Sequence, residues 1–193
     1  MDIWSFFAER FDLPILNWIA EHLWCPFLDA VMPVITLLGD AGVFWIVLAL
    51  VLLCIPKTRK IGFGMAAALI MGLLLCNVTL KPLIARIRPY DYVAEHMGIT
   101  IKLLVDAQHD FSFPSGHTIA SFEAATVLFL HDRKWGIAAL VLASLIAFSR
   151  LYLYVHYPTD VLTSVVLGVG IGWLATRLVK LCCNRFSKTK GAA

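Results

Sequence analysis

The chain has 193 residues, 60% hydrophobic and only 15% charged, with a formal net charge of +3 and a mean hydropathy of +0.82. Soluble domains run about 45–50% apolar and about 25% charged, so one water-facing core could not hide this surface. Disorder and a nucleic-acid-binding arm are excluded on the same grounds, and what remains is an all-α integral membrane bundle, a single domain over residues 1–193.

Residues 3–23 mix Trp4, Phe6, Phe7, Phe11, Leu16 and Trp18 with Glu9, Arg10, Asp12 and Glu21, which predicts an amphipathic helix lying in the interface. Residues 25–38 are apolar except for Asp29 and are short for a span; with part of what precedes they are expected to form the first spanning helix. Gly39, Asp40 and Gly42 predict a tight turn, with Asp40 as a helix cap. Residues 41–56 form an uncharged span that stops at Lys57-Thr58-Arg59-Lys60. Residues 61–80 form another, rich in Gly, Ala, Met and Leu, which runs into Lys81. Residues 89–113 are a long polar connection in which Ile99 to Val105 could rest on the membrane surface.

Residues 118–131 are a shorter apolar stretch that carries Glu123, and 135–149 follow as a further span. In the last span, 161–180, Gly168, Gly170 and Gly172 would let a neighbouring helix approach closely. Residues 184–193 are a basic tail. The expected total is about six membrane helices. No cleavable signal peptide is visible, so the first apolar spans are expected to direct insertion. The five cysteines lack metal-site spacing and read as small apolar filler.

The loops sort into two faces. One carries Lys57, Arg59, Lys60, Arg133, Lys134 and the basic tail, with Asp132 as its acid. The positive-inside rule places that face in the cytoplasm of an inner (plasma) membrane protein, and the 89–113 connection on the extracytoplasmic side.

The unusual polar residues fall on the outer face, at helix ends. Lys81, Arg88 and Arg150 are three cations suited to an anion with several oxygens. Ser115-Gly116-His117 opens a helix, where free amides and the helix dipole favour an anion and Gly116 lets the backbone come close. His156 and Asp160 stand four apart, so Asp160 could accept the Nδ1 hydrogen and leave Nε2 aimed at a substrate. His117 could then protonate a leaving oxygen. A phosphoryl group matches this set, because cations supply the charge stabilisation and a histidine nucleophile divides the reaction into two steps. The carboxylate cluster of a Mg²⁺ site is lacking, so neither metal nor cofactor is expected.

Lys81-x6-Arg88-Pro89, Pro114-Ser115-Gly116-His117 and Ser149-Arg150-x5-His156-x3-Asp160 together resemble the three-part signature of the type-2 phosphatidic acid phosphatase superfamily. The resemblance implies His156 as nucleophile, Asp160 as its partner and His117 as general acid. It implies Lys81, Arg88, Ser115, Gly116 and Arg150 as phosphate ligands. The implied activity is metal-independent removal of a terminal phosphate from undecaprenyl diphosphate, phosphatidylglycerol phosphate or phosphatidic acid, with a lean to the first. A lipid phosphotransferase using the same intermediate is the alternative. The expected partners are the lipid substrate and the bilayer, not nucleic acid; the oligomeric state is unknown.

Other residues carry blander readings. Arg86 reads as a solvated loop charge or a neighbour of the ligands. Tyr152, Tyr154 and Tyr157 read as interfacial aromatics. His109 and Asp110 lie close enough in sequence to touch a head group. Glu123, a carboxyl one to two turns into a helix, reads either as paired inside the bundle or as part of the site.

Overall fold

A computed structural model of the protein describes residues 3–190. Every regular element among them is helical. Helix α1 (Ile3–Phe7) passes through a π turn (Ala8–Asp12) into α2 (Leu13–Leu23). The turn directs Ala8 and Asp12 inward, while Phe6, Phe7 and Phe11 stay exposed. Helix α3 (Pro26–Leu37) follows, then a break in which Ala41 and Gly42 adopt left-handed backbone at φ 46° and 67°. Asp40, in this break, makes no capping hydrogen bond, so its expected role as a cap does not hold.

Helices α4 (Val43–Cys54) and α5 (Arg59–Gly72) form an antiparallel pair, and α5 continues as a π-helical segment, Leu73–Leu80, into the short α6 (Lys81–Ile84). The residues read as a long loop contain a helix, α7 (Pro89–Met97), with Pro89 at its first turn and Gly98 in the left-handed conformation after its end. Helices α8 (Gly116–His131), α9 (Arg133–Tyr152) and α10 (Pro158–Lys190) complete the chain. Asp132 caps α9, accepting from the amides of Lys134 and Trp135. The basic tail begins as the end of α10, and its last three residues, 191–193, lie outside the described residues.

Among the described residues, four stretches are long and apolar enough to cross a membrane: Pro26–Cys54, Arg59–Met97, Arg133–Tyr152 and Pro158–Asn184. The expected count of six is not reached on that measure. Helix α8 has 16 residues and spans about 24 Å, short of the roughly 30 Å hydrocarbon layer. Helix α3 is tied to the C-terminal end of α9 along its length: Asp29 accepts from Tyr152, and Thr36 accepts from Arg150. The outward faces of α4, α5, α9 and α10 expose Val47, Leu50, Ile70, Val141 and Val166, as contact with lipid requires. The chain is a multi-pass membrane protein.

Helix α8 lies at the centre, packed on α5, α9 and α10. Its buried Ala124, Ala125 and Val127 meet Trp45, Met65, Ala143 and Ile146. A second cluster joins Leu13, Leu16 and Ile19 of α2 to Tyr152, Tyr154 and Tyr157. These tyrosines are buried; two of their hydroxyls donate to Asp29 and Asn17. Sequence periodicity hid this, because their partners lie more than a hundred residues away.

The glycines of α10 differ in what they permit. A Cβ on Gly172 would stand 2.5 Å from the Glu123 carbonyl oxygen, and one on Gly168 2.9 Å from the Phe122 side chain, whereas Gly170 has nothing within 4 Å. Gly172→Val should therefore force α8 and α10 apart and cost about 1–3 kcal/mol. Gly170→Ala should be neutral within about 0.5 kcal/mol. Thermal unfolding in detergent will compare them, and equal melting of the two variants would contradict this packing.

Candidate active site

The three sequence segments come together where α6, α8 and α9 end or begin. The π segment Leu73–Leu80 winds more slowly than an α-helix and so turns the face that Lys81 presents; such segments recur at functional sites. Left-handed Ala85 then turns the chain towards Arg86 and Arg88. Arg150 arrives from the last turn of α9, His117 from the first turn of α8, and His156 from the connection into α10.

Lys81, Arg88, Gly116, His117, Arg150 and His156 line one cavity of about 370 Å³, together with Asp110. Arg88 donates towards Nε2 of His156 at 3.4 Å, and Arg150 donates towards Nε2 of His117 at 3.4 Å. Each histidine thus faces its own guanidinium. Arg88 is further held by the Val155 carbonyl at 2.8 Å. Arg150 is held by Thr36 at 2.6 Å, while its Nε and second terminal nitrogen are buried without partners. Asp110 joins the other two cations, receiving Lys81 and, at 2.5 Å, Arg88.

Burial opposes ionisation of Asp110, yet the hydrogen bond from Lys81 and the charges of Lys81 and Arg88 outweigh it and hold its carboxyl down to about 2. Burial, followed by the charges of Arg88, Arg150 and Lys81, pushes His156 well below the usual imidazole range, so its ring is neutral at physiological pH.

Ser115 and Asp160 lie behind the cavity. The Ser115 amide donates to Ser164 at 2.8 Å, so the free amides of the α8 N-terminus begin at Gly116. The Ser115 hydroxyl accepts from Thr118 at 3.0 Å, which leaves its own hydrogen available. Asp160 stands 3.6 Å from Nδ1 of His156. Its carboxylate also accepts from Ser112 at 2.5 Å, from the Tyr157 amide at 3.0 Å and from Arg86 at 2.5 Å.

Arg86 is not a solvated loop charge. It is buried, bridges Asp160 to Asp12 (2.6 Å) and lies 3.7 Å above the Tyr157 ring. Asp12 in turn accepts from the amide and hydroxyl of Thr159 at the start of α10. The N-terminal segment therefore reaches the carboxylate beside His156 through one arginine. The sequence held one clue, an acid inside an otherwise apolar helix face.

A match to the PAP2 superfamily covers residues 58–182. The chain belongs to the PAP2 superfamily. Among PAP2 relatives, an undecaprenyl-diphosphatase of Sulfolobus acidocaldarius is 32% identical over 175 residues, covering 90% of this chain and 79% of that protein. Among solved PAP2 structures, LpxE of Aquifex aeolicus superposes with a TM-score of 0.77 at 26% identity, covering 92% of this chain and 99% of that one. A transmembrane PAP2-type phosphatidylglycerolphosphate phosphatase of Bacillus subtilis gives a TM-score of 0.67 at 29% identity, covering 86% and 83%. This PAP2 protein is a lipid phosphatase by family. Among the described residues, no group of three or more His, Cys, Asp or Glu is placed to hold a metal ion.

Removing Asp12 leaves Arg86 with one carboxylate in a buried site. Asp12→Ala should cost about 3–5 kcal/mol, measured as a lower melting temperature in detergent. A melting temperature equal to wild type would mean that the Arg86 bridge does not hold α10 to the N-terminal segment.

Proposed function

We propose that the protein removes the terminal phosphate of a membrane lipid phosphate or diphosphate through a covalent phosphohistidine. The observation that carries this reading is the pair of histidines in one cavity, each with Nε2 3.4 Å from a buried arginine. A phosphoryl group between them meets a nucleophile on one side and a proton donor on the other.

Nε2 of His156 attacks phosphorus, the bond to the lipid oxygen breaks, and His117 gives that oxygen its proton. Water then attacks phosphorus, His117 takes the water proton, and the P–N bond breaks to release phosphate. Asp160, 3.6 Å from Nδ1 of His156 in the free protein, closes on its hydrogen and stabilises the ring as it gains positive charge. Lys81, Arg88, Arg150 and the Gly116 amide hold the phosphoryl oxygens, with the Ser115 hydroxyl behind them. These charges stand where other phosphoryl-transfer sites place a metal, so turnover needs none. Asp110 occupies the cations in the free protein, and an arriving phosphate takes over its partners.

The basic ends of the helices, at Lys57, Arg59, Lys60, Arg133 and Lys134, lie opposite this site in sequence alternation. That asymmetry supports an extracytoplasmic site in the inner membrane. The relatives' names support a lipid phosphate or diphosphate, without choosing between a prenyl and a glycerol lipid.

Phosphate release by the purified protein from a panel of lipid phosphates and diphosphates tests the reading. Activity should persist in EDTA. His156→Ala should lose turnover by a factor on the order of 10⁴ or more while melting like wild type; full activity in that variant would refute the mechanism. Labelled phosphate on an acceptor lipid instead of in solution would make the enzyme a phosphotransferase. Asp110→Asn should bind inorganic phosphate at a lower concentration than wild type, because the competing carboxylate is gone.

A further inference from the structure

The cavity does not end at the phosphate-facing residues. It continues between α4, α5 and α8, where Ile46, Leu69, Leu73 and Ile119 line it. Such walls suit a lipid chain. Glu123 interrupts them: it lines the same cavity, is 1% exposed, and its Oε2 has no hydrogen-bond partner. No ion pair among the described residues includes it.

The neighbouring helix leaves room for this carboxyl. A Cβ on Gly72 would stand 2.6 Å from Oε1 and 2.7 Å from Cδ of Glu123. An unpartnered buried carboxyl is costly, and in membrane helices ionisable residues are retained mainly where they act. A carboxyl serving only the fold would be expected to pair within the bundle; this one faces the space that the substrate would enter.

Its depth narrows what it could touch. Glu123 lies six residues beyond His117, about 9 Å along the helix. Side chains on a helix lean towards its N-terminus, so the carboxyl sits nearer the phosphate end than its own Cα. A prenyl diphosphate offers only hydrocarbon past its second phosphate. A glycerolipid phosphate offers backbone and ester oxygens several bonds below phosphorus.

We propose that Glu123 determines specificity: its carboxyl hydrogen-bonds an oxygen of the glycerol backbone when a glycerolipid phosphate is seated against His156. This rests on the lipid phosphatase reading and turns the choice of substrate away from prenyl diphosphates. A site that hydrogen-bonds a substrate oxygen discriminates strongly, because its own polar group is stranded when the wrong lipid binds.

The test uses the purified full-length protein as wild type, Glu123→Leu, Glu123→Gln and Gly72→Ala, with dioctanoyl phosphatidic acid and farnesyl diphosphate as substrates. In Glu123→Leu the ratio of kcat/KM for phosphatidic acid to that for farnesyl diphosphate should fall about tenfold, chiefly through KM for phosphatidic acid. Glu123→Gln, which still donates and accepts, should restore most of the ratio. Gly72→Ala pushes a methyl group against the carboxyl and should lower the ratio with Glu123 in place, which carries the test if Glu123→Leu fails to fold. An unchanged ratio in both Glu123→Leu and Gly72→Ala would overturn the proposal. So would a wild-type enzyme that cleaves farnesyl diphosphate but not phosphatidic acid, although the phosphatase reading would stand. Release of phosphate from neither lipid by wild type would refute that reading itself.

Discussion

Burying positive charge at the level of the membrane is the constraint around which this structure is arranged. Lys81, Arg86, Arg88 and Arg150 are all buried, and each is neutralised to a different degree. Arg86 lies between Asp12 and Asp160, both fully buried, in a closed cluster that also receives Thr159. Lys81 and Arg88 share Asp110, whose side chain is 53% exposed and therefore replaceable. Among the described residues, Arg150 has Thr36 and a long contact to His117. The series runs from a closed ion cluster to a cation waiting for an anion. Closed clusters fix a fold, and open ones bind ligands. The same residue type, arginine, therefore serves both ends of the series.

The gradient follows from where each carboxylate is anchored. Asp12 ends the π turn before α2 and Asp160 lies in the first turn of α10, and Arg86 with the Thr159 amide and hydroxyl ties the two together. Asp110 sits in the connection between α7 and α8, held largely by the cations it neutralises: Arg88 binds its carbonyl as well as its carboxylate. On the proposed mechanism, a phosphate that takes those cations removes what holds Asp110 in place and leaves the cluster behind His156 as it is. Substrate binding and structural support are separated by their partners and not by distance.

Much of this was legible in the residues. Charges in an apolar chain are few, and those at helix ends point either to anchoring or to chemistry. The segments around Lys81, Ser115 and His156 could be brought together because each flanks a recognisable apolar run. What escaped was everything that depends on long-range pairing. Arg86 could be read either as a solvated charge or as a neighbour of the ligands, and what decides it, Asp12, lies 74 residues away. The partners of Tyr152 and Tyr154 went unseen because Asp29 and Asn17 are remote in sequence. Helix α7 was read as loop because its polar composition carries no membrane signal. The expected six spans are not reached by length and composition, because α3 and α4 fall in one apolar stretch and α8 has only 16 residues.

Helix α8 is where support, chemistry and specificity share one rigid body. Its amino end carries Gly116 and His117, its middle is pressed against Gly168 and Gly172 of α10, and Glu123 occurs in that same middle turn. The close approach of α10 buries the backbone of Glu123 on one side and directs its carboxyl to the other, where Gly72 has withdrawn. A helix clamped this way cannot rotate to satisfy an unpaired carboxyl elsewhere. The carboxyl must stay beside the cavity, at a fixed height below His117. A fixed height is what reading a lipid requires, since prenyl and glycerol lipids differ in which atoms follow the phosphate. The small residues of α10 thereby do more than pack helices: they set the depth at which the cavity measures its substrate.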